Sequence, residues 1–168
     1  MRIDVIGLPA SGKSTFAASI SKKLSIPHIH LDRFWFEAGG HQGRHDTPNL
    51  EEVRSKVREK AIEAVKGESW VSDGIYLHVQ DVIAERSEVI IFLDIPLLTR
   101  IYGHAQRAFF EPKRHDELGL WDEITFFREI VKRNFSSKPK LLKFVDAHKD
   151  KVIRLRSRKE MDEYLKKL

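Results

Sequence analysis

The stretch Gly7-Leu8-Pro9-Ala10-Ser11-Gly12-Lys13-Ser14 satisfies the pattern G-x-x-x-x-G-K-[ST], and its neighbours decide what the pattern means. Before it, Arg2-Ile3-Asp4-Val5-Ile6 is a short β-branched run that reads as a strand. After it, Lys13 to Leu24 reads as a helix. A glycine-rich turn between strand and helix lets successive backbone N–H groups face an anion, and the helix N-terminus adds partial positive charge. The candidate phosphate-binding residues are therefore Gly7, Pro9, Ala10, Ser11, Gly12, Lys13, Ser14 and the adjoining Thr15. Lys13 supplies a point charge for the terminal phosphates of ATP, and the Ser14 hydroxyl is a hard oxygen ligand of the kind Mg²⁺ takes.

Working outward, Ile26-Pro27-His28-Ile29-His30-Leu31 reads as a second short strand ending at Asp32. Residues 37 to 49 hold three of the nine glycines, Pro48 and two histidines, an irregular composition. From Asn49 the apolar residues Leu50, Val53, Val57, Ala61, Ala64 and Val65 share one helical face, with Asn49 as N-cap and Gly67 as stop. Trp70-Val71-Ser72-Asp73 predicts a third strand, Glu88 to Asp94 a fully buried fourth, and Val152-Ile153-Arg154-Leu155 a fifth. Helices are expected over about 97–110, 121–135, 141–149 and 159–168. Strands alternating with helices imply an α/β fold with a parallel sheet.

The chain has 168 residues and 41% hydrophobic content, which suits one buried core. It carries 30 Lys and Arg against 25 Asp and Glu, and the excess of positive charge falls after residue 100. That balance fits an anionic ligand and permits nucleic acid without requiring it; the same charges also read as solvated helix faces. Cysteine is absent, which excludes disulfides, thiolate catalysis and cysteine-held metals. No signal-peptide pattern precedes the first strand, and no run approaches the roughly 20 apolar residues of a membrane span. A cytoplasmic location without membrane contact is expected; composition leaves the oligomeric state open.

Three aspartates end predicted strands. Asp73 is the candidate second metal ligand beside Ser14, or simply part of an Asp-Gly turn. Asp32 either accepts a proton from an acceptor hydroxyl, organises water on the metal, or caps a helix. Asp94 reads as structural, capping the segment after Pro96. Arg100, Arg107, Arg114 and Arg133 lie on a helix-loop-helix stretch that could cover the site, where guanidinium groups reach phosphate. Arg107 and Arg114 are the catalytic candidates among them, and Arg100 the nucleotide-binding one. Phe34 and Trp35 line an acceptor pocket or pack in the core. His41 and His45, four apart among glycines, are poor metal ligands because no helix would align them.

Taken together, Gly7 to Ser14, His30-Leu31-Asp32 with Trp35, Trp70 to Tyr76, and Ile91-Phe92-Leu93-Asp94 with Arg100 resemble the adenylate-kinase-like P-loop kinases. Within them, Lys113-Arg114-His115-Asp116 and Val152 to Glu160 resemble the branch labelled topology modulation or FlaR-like proteins. The resemblance implies a P-loop NTPase fold with a five-stranded parallel sheet in the order 2-3-1-4-5. It also implies an acceptor-binding segment near residues 33–66 and a helical lid near 100–136, within a single domain spanning 1–168. Two departures bear on the acceptor. Ile75-Tyr76-Leu77 lacks the arginine that grips a nucleoside monophosphate in such kinases, and Gly103-His104 stands where their lid has glycine-arginine.

The function expected is transfer of the γ-phosphoryl group of Mg-ATP to a small acceptor. The alternative is a regulatory ATP-binding protein associated with nucleic acid. A GTPase is disfavoured because no Asn-Lys-x-Asp segment is present.

Overall fold

The computed structural model describes residues 1–41, 47–110 and 120–168. Five strands, β1 (Arg2–Gly7), β2 (His28–His30), β3 (Trp70–Asp73), β4 (Val89–Leu93) and β5 (Val152–Leu155), form one sheet in the order β2-β3-β1-β4-β5. Every neighbouring pair is parallel. The expected strand order and parallel sense are thus observed. Between the strands run α1 (Lys13–Leu24), α2 (Leu31–Glu37), α3 (Leu50–Ala64), α4 (Gln80–Arg86), α5 (Leu97–Phe110), α6 (Leu120–Ser136) and α7 (Lys138–Ala147), with α8 (Arg158–Lys167) following β5.

The central strand shows why the sheet is covered on both sides. Alternate residues of β1 point to opposite faces. Ile3 and Val5 pack with Phe16 and Ile20 of α1 and Met161 of α8, while Ile6 packs with Ala84 of α4 and with Leu141 and Val145 of α7. A third cluster, built on Leu31, Trp35, Val53, Val57, Trp70 and Tyr76, seats α2 and α3 beside the β2–β3 edge.

The structure differs from the sequence reading in particular places. β2 begins at His28 because Pro27 has no N–H, though its carbonyl still accepts from the Val71 N–H at 2.9 Å. The charged and aromatic residues after it form α2 directly, and α4 is a further short helix that periodicity did not reveal. Asn49 is the N-cap residue of α3, but it is left-handed (φ 51°) and its side chain makes no capping bond. α3 ends at Ala64, with Val65 rather than Gly67 at the C-cap. Among the described residues, no helix is long and apolar enough to cross a membrane.

Candidate functional site

Because all five strands are parallel, their carboxyl ends lie along one edge. β1 has β3 on one side and β4 on the other, so the chain's crossovers diverge there, where open α/β sheets bind ligands. The loop after β1 occupies this point. Gly7 must lack a side chain: a Cβ would lie 2.7 Å from Ser11 Oγ and 2.8 Å from the Leu93 carbonyl. Ala10 (φ 62°) and Gly12 (φ 90°) are both left-handed, which curls the loop before α1 starts. Gly12 is the N-cap of α1 and no side chain caps it, so the first N–H groups of the helix face the loop's concavity. The Ser11 hydroxyl is buried with no hydrogen-bond partner among the described residues. Lys13 Nζ donates to the Leu8 carbonyl at 3.3 Å, folding the ammonium back along the loop.

Asp73, at the end of β3, is fully buried, and Ser14 Oγ donates to its Oδ2. Its other oxygen accepts from His28 Nε2 at 2.8 Å, and His30 Nδ1 lies 3.4 Å from that same oxygen. Burial alone would raise this carboxyl's pKa. The bonds from His28 and Ser14, with the nearby His30, outweigh burial and hold it below the usual range. Ser14 and Asp73, far apart in sequence, are therefore in direct contact. Among the described residues no group of three or more His, Cys, Asp or Glu side chains could hold a metal ion. The pair nevertheless fits Mg²⁺, which takes one or two protein oxygens and completes its shell with phosphate and water.

Asp32 lies in the first turn of α2, where His30 rather than Asp32 is the N-cap. The capping alternative is thus replaced by a different contact: Tyr76 Oη donates to Asp32 Oδ1 at 2.6 Å. Tyr76 is buried and its ring lies 5.6 Å from that of Trp35, which is itself buried and donates its indole N–H to the His41 carbonyl. Trp35 accordingly serves the core beneath this edge. Asp94 makes ion pairs with Arg154 and Lys138.

Arg100 is 1% exposed, and its guanidinium donates to the carbonyls of Pro9 at 3.0 Å and Ile95 at 3.1 Å and to Asn134 Oδ1. It is thereby tied to the phosphate loop, because a buried guanidinium needs acceptors for its N–H groups and the backbone supplies two of them. Arg133 pairs with Glu129. The side chain of Arg107 and all of Arg114 and His45 lie outside the described residues.

One neighbour of the loop escaped the sequence reading. Arg158 opens α8, and its guanidinium lies 3.2 Å from where a Gly12 Cβ would stand and 3.5 Å from that of Gly103. The start of α8 is fixed by its cap: Glu160 N–H donates to Ser157 Oγ at 3.2 Å, and the Glu160 carboxylate accepts from the N–H of Arg156, one residue before the cap, at 2.8 Å. The Ser157-x-x-Glu160 spacing was the available signal.

No family model matches the chain, and no curated protein matches it. Among solved structures, the crystal structure of shikimate kinase from Aquifex aeolicus vf5 is similar, with a TM-score of 0.53 and 20% sequence identity over 99% of this chain and 92% of that one. An identity this low speaks to the fold alone. The chain has the P-loop NTPase fold, with five parallel strands flanked by helices and the glycine-rich loop at the sheet's switch point.

Proposed function

We propose that this chain is a P-loop kinase of the adenylate-kinase-like group, which moves the γ-phosphoryl group of ATP to the hydroxyl or phosphate of a small metabolite. The observation that carries the reading is the convergence of Lys13, the Ser14–Asp73 pair and Asp32 on one sheet edge around an uncapped helix N-terminus. The loop N–H groups and Lys13 hold the β and γ phosphates, and Arg158 adds a cation at the loop's Gly12. Ser14 and Asp73 are the residues that would hold Mg²⁺, which when bound offsets charge on the phosphates. Asp32, fixed by Tyr76, accepts the proton of the acceptor hydroxyl. Segment 33–66 receives the acceptor, and segment 100–136, bearing Arg107 and Arg114, covers the site. The narrower placement in the FlaR-like branch and a cytoplasmic location belong to the same proposal.

The regulatory, nucleic-acid-associated reading rests on the basic C-terminal part, in which several basic side chains are already paired. Arg154 and Lys138 pair with Asp94, Arg133 with Glu129, and Lys159 with Glu163. A coupled ADP-release screen across nucleoside monophosphates, sugars and small hydroxy acids separates the two. Acceptor-dependent ADP release supports the kinase. Absence of release with every acceptor, together with DNA binding that falls steeply with salt, would replace it.

A further inference from the structure

The two histidines of β2 have no part in the chemistry outlined above, yet both turn toward its most buried carboxylate. Strand alternation puts His28 and His30 on one face, with Ile29 on the other, and the parallel pairing sets His30 level with Asp73. The imidazoles stack, with centroids 5.3 Å apart and planes 24° apart. Their nitrogens address a single atom, Asp73 Oδ1, at 2.8 Å from His28 Nε2 and 3.4 Å from His30 Nδ1. Oδ2 faces Ser14. The carboxylate is thus divided, one oxygen taken up by the scaffold and the other turned toward the phosphate loop.

We infer that His28 is a positioning residue for the divalent cation of this site: by holding Asp73 Oδ1 it fixes the plane of the carboxylate and leaves Oδ2 as the oxygen offered beside Ser14. This rests on the kinase reading, since it assigns the cation to Ser14 and Asp73. A buried carboxylate with one anchored oxygen loses little rotational freedom when it takes on a ligand. Hydrogen-bond partners of metal-binding carboxylates and histidines typically account for about ten- to hundredfold in metal affinity. His30 supports His28 by stacking and contributes less, being the more distant of the two from Oδ1.

The test measures metal and nucleotide binding separately, without turnover. Mn²⁺ binding to the protein with a non-hydrolysable ATP analogue is read from the electron paramagnetic resonance of free Mn²⁺, and analogue binding in EDTA is read by calorimetry. His28→Ala, and His28→Leu as a volume-preserving partner should the alanine variant fold poorly, should weaken Mn²⁺ binding about ten- to hundredfold. Metal-free analogue affinity should stay within about twofold. His28→Gln, whose amide nitrogen can stand where Nε2 does, should restore most of the loss, and Asp73→Asn should reproduce it. Mn²⁺ affinity equal to wild type in the alanine and leucine variants overturns the inference, as does a glutamine variant no better than leucine, which would mean that the ring acts by packing. In either case analogue binding by the wild type leaves the kinase reading standing; a wild type that binds no analogue removes both.

Discussion

Tyr76 Oη and Asp32 Oδ1, separated by 2.6 Å, tie the turn after β3 to the first turn of α2. The donor comes from a buried ring packed beside Trp35, so one oxygen of the half-buried carboxylate is held by a group anchored in the core. Asp32→Asn is expected to lower turnover by at least about a hundredfold, the lower end of what a positioned general base contributes, with ATP affinity within a few fold. Tyr76→Phe removes one bond to a charged group and should lower turnover roughly tenfold or more. The double variant should be no slower than Asp32→Asn alone, because the tyrosine acts through the carboxylate. Steady-state kinetics on the four proteins decide this; full additivity would separate the two residues.

Lys13→Ala should leave the unliganded protein nearly as stable as wild type, since a half-buried ammonium that donates to a carbonyl of its own loop, that of Leu8, contributes little net stability. Its effect belongs to the liganded state. ATP with Mg²⁺ at a hundred times its dissociation constant should stabilise the wild type by about 2.7 kcal/mol, and the variant should lose most of that shift. Differential scanning fluorimetry with and without nucleotide measures it, and a variant retaining the full shift would remove Lys13 from the phosphate site.

Asp4 sits fully buried on the central strand, accepting from Ser72 Oγ at 2.7 Å and from Gln80 Nε2. Burial pushes its pKa up to about 7, the two hydrogen bonds oppose the rise, and the charge of Asp73 adds to it. In the unfolded chain it titrates near 3.8, so between those values the folded protein binds the extra proton. Asp4 therefore contributes stability at acid pH that is lost as pH rises through this window. Asp4→Asn, neutral throughout, should raise the melting temperature more at pH 8 than at pH 5, which lies low in the window, with a difference on the order of a few kcal/mol. Thermal melts of both proteins at the two pH values test the sign. An equal effect at both would mean that Asp4 is ionised throughout the range.

Arg100→Ala leaves the Pro9 and Ile95 carbonyls and Asn134 without their buried donor. Each orphaned acceptor costs about 1–3 kcal/mol, so a loss of several kcal/mol is expected, together with weaker ATP binding as the loop relaxes. Arg100→Lys should recover little, because one ammonium cannot match the three directions of the guanidinium. Chemical denaturation and ATP titration measure the two effects. A stable variant that still loses ATP affinity would instead place Arg100 in direct contact with nucleotide.

Much of the sheet and the loop was legible because their signals are local. The buried runs Trp70–Asp73 and Val89–Leu93 announce central strands, and Gly7 to Ser14 states its own geometry. α2 and α4 were not legible: each has seven residues, too few for a repeating apolar face, and each is fixed by tertiary packing of Trp35 or Ile83. The site's finer wiring was hidden for another reason. Asp32 with Tyr76, Asp73 with His28, and Gly12 with Arg158 each join distant positions in the chain. Spacing along a sequence carries no trace of such pairs until the strand order brings their ends together.

The placement of the loop's two cationic supports has a consequence for how the protein is made. The phosphate loop precedes both supports in the chain: the Pro9 carbonyl meets Arg100 across 91 positions, and Gly12 meets Arg158 only once α8 has been made. β1, too, must wait for β3 and β4 before either of its edges is hydrogen-bonded. At about 5–20 residues per second, the nascent loop stays unbraced for some seconds, until α8 has been made. Full capture of a nucleotide therefore waits on the docking of α8, so a product cut short before Arg158 by a premature stop codon would lack the ligand's stabilisation and stay open to proteolysis.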